Sequence, residues 1–160
     1  CGNPMIEITI PGSGKIQLEH LVLDYNGTLA RDGDLLEGVA ERLTALAQIL
    51  TIHVITADTF GKVEAAMAGL PCTVRILPQT GQGHAKMAYV WQLDRTRVAA
   101  IGNGRNDRLM LQAAKLGIAI VGPEGAAVDT LHAADVAVPN IHAALDLLQH
   151  PLRLVATLRS

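Results

Sequence analysis

Short apolar runs alternate with amphipathic stretches along the chain. Residues 5–10 and 15–19 alternate apolar and polar positions on either side of a Pro-Gly-Ser-Gly turn, which predicts a β-hairpin. Residues 21–24 (LVLD) form a continuous apolar run that stops on an acid, a pattern typical of a strand buried on both faces. Residues 37–50 then place apolar side chains on one helical face, and 51–56 (TIHVIT) predict the next strand.

The same alternation continues to the end of the sequence. Predicted helices cover 60–70, 84–93, 106–117, about 125–133 and a segment from about 141, and predicted strands cover 72–77, 97–102, 118–121 and 135–138. Gly117 is expected to end the helix 106–117, Asn140 to cap the helix after it, and Pro151 to open a last helical segment. Strands and helices in strict alternation predict a parallel sheet in a three-layer α/β/α Rossmann-like fold. Ligands bind such sheets beyond the carboxyl ends of the strands.

Composition fits one domain of this kind and excludes several functions. The chain has 160 residues, 49% hydrophobic and 18% charged, with a formal net charge of −2, so we expect a single domain over 5–160 and neither disorder nor a nucleic-acid-binding face. Aromatic residues are only 2%, which argues against base stacking. No apolar run is long enough to suggest a membrane span, and Cys1 and Cys72 favour a reduced, cytoplasmic chain. Cys1–Pro4 are expected to be a cloning remnant, with Met5 as the natural start.

Polar residues at three strand ends supply the parts of a phosphoryl-transfer site. Asp24 ends the first buried run, Thr56 ends the next strand, and the loop 102–107 (GNGRND) follows a third. A carboxylate can attack phosphorus, and Mg²⁺ needs only one or two carboxylates together with phosphate and water. A lysine and a hydroxyl can hold the remaining phosphoryl oxygens. Lys62 and Lys86 both fall between Thr56 and the loop, and Lys86 is preferred because it opens the helix before the strand that leads to the loop.

The segments DYNGT, Thr56, Lys86 and GNGRND resemble, in order and spacing, the four motifs of the haloacid dehalogenase superfamily. The stretches LVLDYNGTLA, ITADTFG and AIGNGRNDRLML are most similar to the soluble P-type-ATPase-like group within it. The resemblance runs from about residue 5 to 159, nearly the whole chain. It implies the superfamily's α/β fold and a Mg²⁺-dependent phosphoryl transfer.

The resemblance also implies a role for each matching residue. Asp24 matches the nucleophile, and Asn26 stands where phosphatases have their general acid/base, a position whose backbone carbonyl also binds the metal. The implied Mg²⁺ ligands are Asp24, Asn26, Asn103 and Asp107, and the implied substrate-binding residues are Thr56, Ala57, Lys86 and Gly27. Asp107 could also cap the helix that follows it.

Two asparagines depart from the phosphatase pattern. Asn26 has no titratable proton and cannot act as the usual acid/base, and Asn103 removes one negative charge from the metal site. We therefore expect a phosphatase that works through an aspartyl phosphate on Asp24 and favours activated phosphates. The alternative is a catalytically impaired module that binds metal or phosphate in an interaction or regulatory role. A transport ATPase is not expected, because the chain lacks a membrane segment and room for a nucleotide-binding insertion.

The intervals 24–56 and 56–86 are too short for a cap domain. The chain thus resembles capless members of the superfamily, whose site is open to macromolecules or closed by a neighbouring subunit. The expected substrate is a phosphorylated small molecule or a phosphorylated macromolecule, and neither nucleic acid nor a membrane is an expected partner. The apolar tail 151–160 adds the expectation of a homo-oligomer.

Overall fold

A six-stranded parallel sheet organises the chain in a computed structural model that describes residues 5–58 and 61–160. The strands are β1 (Ile6–Ile10), β2 (Gly14–Leu18), β3 (His20–Asp24), β4 (Ala30–Arg31), β5 (Asp34–Leu35), β6 (Thr51–Thr56), β7 (Cys72–Ile76), β8 (Val98–Gly102), β9 (Leu116–Ile120) and β10 (Val136–Val138). The helices are α1 (Val39–Leu46), α2 (Lys62–Ala66), α3 (Gln82–Gln92), α4 (Arg108–Ala113), α5 (Val128–Ala133), α6 (Ile141–Gln149) and α7 (Pro151–Leu158). The sheet order is β10-β9-β8-β3-β6-β7, with every neighbouring pair parallel.

The interior of the central strand β3, residues 21–23, is apolar because both of its faces are covered. Leu21 and Leu23 join a core layer with the β-hairpin, α1 and α6, whereas Val22 joins a second layer with α3 and α4. Successive side chains of a strand point to opposite faces, so a continuous apolar run is what a strand between two helical layers requires. The predicted three-layer α/β/α fold with a parallel central sheet is confirmed.

The predicted hairpin and two predicted helix starts are also confirmed. Strands β1 and β2 pair antiparallel from Ile6 opposite Leu18 to Ile10 opposite Gly14. The Asn140 side chain accepts a hydrogen bond from the Ala143 backbone N–H (2.8 Å), which caps α6. Pro151 is the first residue of α7.

Helix α7 packs on its own chain, against β1 and α6. Its Leu154 is fully buried, while Leu152 is 81% exposed. Homo-oligomerisation through this tail stays a prediction.

Gly117 corrects the predicted helix 106–117. Helix α4 ends at Ala113, and Gly117 lies inside β9 rather than at a helix end. A Cβ atom on Gly117 would lie 2.5 Å from the Leu111 carbonyl oxygen, so the glycine allows α4 to pass close over β9. The helix predicted over 37–50 is likewise shorter, because the chain leaves α1 in a turn after Leu46. Phe60, the predicted start of the next helix, lies outside the described residues, as does Cys1–Pro4.

The strand order reverses beside β3, and this places the site. The chain passes from β3 to β6 and β7 on one side and then returns to β8 on the other. A ligand crevice forms where such connections diverge at the carboxyl edge of a sheet. Between β3 and α1 the chain forms the small antiparallel ribbon β4–β5. Across 5–58 and 61–160 the structure has no helix with the length and apolarity that a membrane crossing requires.

Candidate active site

A cavity of about 590 Å³ opens over the carboxyl ends of the central strands. Asp24 and Thr56, the last residues of β3 and β6, lie at its inner end. The cavity is also lined by the predicted site residues Asn26, Ala57 and Asn103. The other three predicted residues lie close by: Lys86 contacts Asp24, Asp107 contacts Lys86, and Gly27 follows Asn26.

The Lys86 ammonium group is the centre of the polar network. Its Nζ donates to Asp24 Oδ1 (3.1 Å), Asn106 Oδ1 (3.2 Å) and Asp107 Oδ1 (2.7 Å). An ammonium group has three N–H donors, so this set satisfies all of them. Lys86 is only 2% exposed because α3 lays its side chain across the strand ends. Lys62, the alternative lysine, lies beside Gly33 of the β4–β5 ribbon instead.

Asp107 is fixed on both of its carboxylate oxygens. While Oδ1 accepts from Lys86, Oδ2 accepts from the backbone N–H groups of Asn103 (3.0 Å) and Gly104 (3.1 Å). The side chain therefore closes the loop before it and does not cap α4. Gly102 makes this possible, since a Cβ atom there would lie 2.5 Å from the Asp107 carboxyl carbon. The presence of glycine at position 102 of the motif loop is thus explained by the space that the Asp107 carboxylate needs.

Burial and neighbouring charge perturb the pKa values of the network. Burial first, and then the charge of Asp107, raise the pKa of Asp24 to about 7, against the lowering effect of Lys86 and of the Tyr25 backbone N–H. Burial also acts to lower the pKa of Lys86, but Asp24 and Asp107 together outweigh it and the pKa is raised. One buried ammonium group therefore leaves two buried carboxylates short of positive charge.

A tight turn carries the backbone from Asp24 to the cavity rim. The Tyr25 carbonyl accepts from the backbone N–H groups of residues 28, 29 and 30, and Gly27 has φ 78°, a conformation that favours glycine. The Tyr25 side chain is fully buried, and its hydroxyl donates to the Gly33 carbonyl (3.0 Å). Tyr25 thus ties the β4–β5 ribbon to the strand that carries Asp24.

Thr56 presents its hydroxyl at the end of the neighbouring strand. The side chain is buried, and its Oγ1 accepts from the backbone N–H of Asp58 (3.1 Å). Because Oγ1 is the acceptor in that bond, the hydroxyl hydrogen can still be donated to another group. Thr56 and Ala57 thereby form one wall of the inner cavity.

Three further residues belong to the site and were not among the predicted ones. Asn106 is the third acceptor of Lys86, and its Nδ2 donates to Gln82 Oε1 (2.9 Å). Gln82 precedes Lys86 by one helical turn, a spacing that places both on one face of α3. Glu124 lines the cavity from the loop after β9. Glu124 lies in the loop that follows a predicted strand, as Asp107 does.

The donor set fits a hard divalent cation. Asp24 and Asp107 offer carboxylate oxygens, and the Asn103 side chain offers Oδ1 because its Nδ2 donates to the Gly125 carbonyl (3.3 Å). Oxygen donors of this kind are what Mg²⁺ prefers. No group of three or more His, Cys, Asp or Glu side chains suited to a metal converges within the described ranges. A bound ion would therefore also use carbonyl, phosphate or water oxygens, as Mg²⁺ commonly does.

Sequence comparisons match parts of the chain. A family model described as haloacid dehalogenase-like hydrolase matches residues 80–136, which include Lys86 and the loop 102–107. An uncharacterized protein of Methanocaldococcus jannaschii is 49% identical over 63 residues, covering 39% of this chain and 68% of the relative.

Structural comparisons extend the similarity over most of the fold. One structural neighbour is the 3-deoxy-D-manno-octulosonate 8-phosphate phosphatase of Moraxella catarrhalis, solved with magnesium, phosphate and KDO. It matches with a TM-score of 0.69 at 17% identity, and the match covers 89% of this chain and 94% of the phosphatase chain. A zinc-transporting PIB-type ATPase in its E2.Pi state matches with a TM-score of 0.60 at 26% identity, and the match covers 77% of this chain and 20% of the ATPase chain.

Because one ammonium group faces two buried carboxylates, the thermal stability of the metal-free protein should depend on pH. A carboxyl whose pKa is raised on folding contributes stability that is lost as the pH rises through its folded value, here about 7. Asn does not titrate, so Asp24→Asn should unfold at a higher temperature than the unaltered protein at pH 8 in EDTA, with a smaller difference at pH 5. Thermal unfolding followed by circular dichroism measures this.

The same substitution at an exposed carboxylate, Asp129→Asn, sets the baseline for that comparison. A stability difference between Asp24→Asn and the unaltered protein that stays constant or shrinks between pH 5 and pH 8 would contradict the account.

Proposed function

Because the chain belongs to the haloacid dehalogenase-like hydrolase superfamily, as its motifs predict, we propose that it is a Mg²⁺-dependent phosphatase with Asp24 as its nucleophile. The observation that carries the proposal is the placement of Asp24 at the floor of an open cavity, held by a lysine that is itself held by a second buried acid. A purely structural ion pair has no need of a cavity above it. The perturbed pKa of Asp24 in a cleft is a further mark of a functional carboxylate.

In the first step the Asp24 carboxylate attacks the phosphorus atom of a phosphate ester. A bond forms between the carboxylate oxygen and phosphorus while the bond from phosphorus to the leaving oxygen breaks, giving an aspartyl phosphate and an alkoxide or a more stable anion. Lys86 orients Asp24 and favours its ionised form. The Thr56 hydroxyl can donate to a phosphoryl oxygen from the adjacent strand end.

In the second step water attacks the phosphorus atom of the aspartyl phosphate. The bond from phosphorus to the Asp24 oxygen breaks, inorganic phosphate leaves, and the proton of the water passes to a base. Asn26 faces the cavity where an acid would take or give that proton, but its amide does neither. Hydrolysis of the intermediate is therefore slow, and the first step favours leaving groups that depart without a proton.

Asp24, Asp107, the Asn103 side chain and the Asn26 backbone carbonyl would hold Mg²⁺. When bound, the ion would supply positive charge that offsets the two carboxylates and the phosphoryl oxygens. With Asn103 in place of an acid, the protein offers two carboxylates to the ion, so the affinity depends more strongly on bound phosphate.

The substrate class proposed is a phosphorylated small molecule. The phosphatase of Moraxella catarrhalis, a structural neighbour, acts on the phosphate of a small sugar acid, as its name states. The described chain between the motifs forms a two-stranded ribbon, short helices and one sheet strand, which leaves the cavity open. A phosphorylated macromolecule is the second substrate class that such an opening admits.

The test is phosphate release from p-nitrophenyl phosphate and acetyl phosphate with Mg²⁺. We expect turnover by the unaltered protein and a loss of at least about a thousandfold in Asp24→Asn, because removal of a nucleophile abolishes the covalent route. Arg153→Gln, an exposed substitution on α7, controls for contaminating phosphatase and for handling.

Equal activity in Asp24→Asn would contradict the proposed mechanism. Binding of Mg²⁺ and phosphate without any turnover would instead favour the alternative, a metal- or phosphate-binding regulatory module. Asn26 and Asn103 are the residues that point to this alternative.

Restoring the missing acid should change the preference among leaving groups. An alkoxide leaves slowly without a proton, whereas aryl and acyl phosphates release stable anions. Asn26→Asp should therefore raise kcat on alkyl phosphates by up to about 10²–10⁴-fold and on aryl phosphates by much less. Steady-state kinetics on both substrate types measure the contrast.

Because Asn26-Gly27 is prone to deamidation, intact-mass analysis must show that the unaltered protein still carries asparagine. Alkyl and aryl phosphates cleaved equally fast by that protein, with no change in Asn26→Asp, would show that another residue supplies the proton.

A further inference from the structure

The outer wall of the active-site cavity differs in charge from its floor. Positive charge at the floor comes from Lys86, whose three N–H groups are all engaged by Asp24, Asn106 and Asp107. Farther out, the described residues that line the cavity include no lysine, arginine or histidine. The two residues outside the described ranges that follow Asp58 in sequence are threonine and phenylalanine, which carry no charge.

The charges that the outer wall does carry are negative. Asp58 and Glu124 both line the cavity above Asp24. The basic residue of the motif loop, Arg105, is 82% exposed in its side chain, does not line the cavity, and has its Nε 3.9 Å from Asp129 Oδ2. A second anionic group on a substrate would therefore meet carboxylates rather than a cation.

Glu124 is the carboxylate of the outer wall whose position the structure fixes most closely. Its Oε2 lies 2.8 Å from the point that a Cβ atom on Gly27 would occupy, and Asn103 Oδ1 lies 3.3 Å from the same point. Glu124 thus sits over the turn that carries Asn26, on the same side of the cavity as Asn103. Among the described residues it has no ion-pair or hydrogen-bond partner, so its charge is not neutralised by a neighbour.

The remaining polar wall consists of amides. The side chains are those of Asn26, Gln79, Gln82, Asn103 and Asn106. Gln82 and Asn106 are engaged with each other, with the Gln79 carbonyl and with Lys86, whereas the side-chain amides of Asn26 and Gln79 can each donate to and accept from a hydroxyl or amine group. No aromatic side chain lines the cavity within 5–58 and 61–160, so these residues offer a nucleobase no stacking surface.

We infer that, among phosphate monoesters whose leaving groups are equally reactive, this site prefers small ones whose leaving group is hydroxylated and either neutral or cationic, and that Glu124 is the residue that disfavours a second phosphate or carboxylate. The inference rests on the proposed function, since the phosphoryl group itself must occupy the floor. It also separates this chain from a phosphatase for an octulosonate, whose substrate carries an acid.

Three esters built on the same three-carbon skeleton test the inference with the full chain and Mg²⁺. Glycerol 3-phosphate has a neutral leaving group, serinol phosphate a cationic one, and 3-phosphoglycerate an anionic one. At low salt, kcat/KM for each of the first two should exceed that for 3-phosphoglycerate by at least about threefold, since Glu124 is exposed at the opening and repels a like charge there through water. The ratio should narrow at high salt.

Glu124→Gln removes the charge and keeps the shape of the side chain. The ratio of kcat/KM for glycerol 3-phosphate to that for 3-phosphoglycerate should fall about twofold or more in this variant, because the carboxylate that repels the second anion is gone. Glu41→Gln makes the same change on α1, outside the cavity, and should keep the ratio. A ratio near one in the unaltered protein, or one that Glu124→Gln does not lower, would overturn the inference.

The affinities of the three esters test the inferred selectivity without any need for turnover. Calorimetric titration of the three esters into Asp24→Asn with Mg²⁺ should give the same order of affinities, with 3-phosphoglycerate weakest. If neither p-nitrophenyl phosphate nor the three esters is hydrolysed but this order of affinities holds, the proposed function fails and the inferred selectivity stands. If the esters are hydrolysed and bound without regard to charge, the inferred selectivity fails and the proposed function stands.

Discussion

The contact between one buried ammonium group and two buried carboxylates is the interaction on which the site depends. Lys86 reaches Asp24 and Asp107 from a helix, whereas the two acids come from different strand ends, so the contact joins three parts of the fold. Removing Lys86 would leave two buried carboxylates without compensation, and the loss of such a partner typically costs about 3–5 kcal/mol. Two neighbouring residues support this contact. Gly102 makes room for the Asp107 side chain, and Asn106 is the third hydrogen-bond acceptor of the Lys86 ammonium group.

Two consequences follow from the charges that this network lacks. With one ammonium group for two carboxylates, Asp24 is held with a raised pKa, and a divalent cation is the natural complement to the site. With asparagine at 26 and 103, the chain has neither the usual proton donor nor a third carboxylate for the metal. The proposed enzyme is therefore one in which phosphoryl transfer to Asp24 is supported and the proton transfers are not. Glu124 adds negative charge at the opening, where it acts on the leaving group rather than on the reacting phosphorus.

The sequence predicts the fold and the principal candidate residues because both follow local rules. Apolar runs define the buried strands, and the residues at their ends are visible without knowledge of the packing. Gly117 was misassigned because glycine ends helices and also permits close crossings, and only the contact with Leu111 distinguishes the two. Asn106 and Gln82 are ordinary polar residues in the sequence, and their part in holding Lys86 depends on α3 lying against the loop 102–107. Glu124 lies in a loop after a predicted strand, but its charge gains meaning only from the absence of basic residues among the described lining of the cavity.

The central claim is that Asp24 accepts a phosphoryl group while Asp107 and Lys86 hold the charge around it. A crystal structure with Mg²⁺ and beryllium fluoride, which mimics a phosphoryl group on a carboxylate, tests it most directly. The account predicts beryllium bonded to a carboxylate oxygen of Asp24, with Mg²⁺ ligated by Asp24 and Asp107. Beryllium fluoride bound at another residue, or Mg²⁺ bound in the crystal away from these two acids, would contradict it.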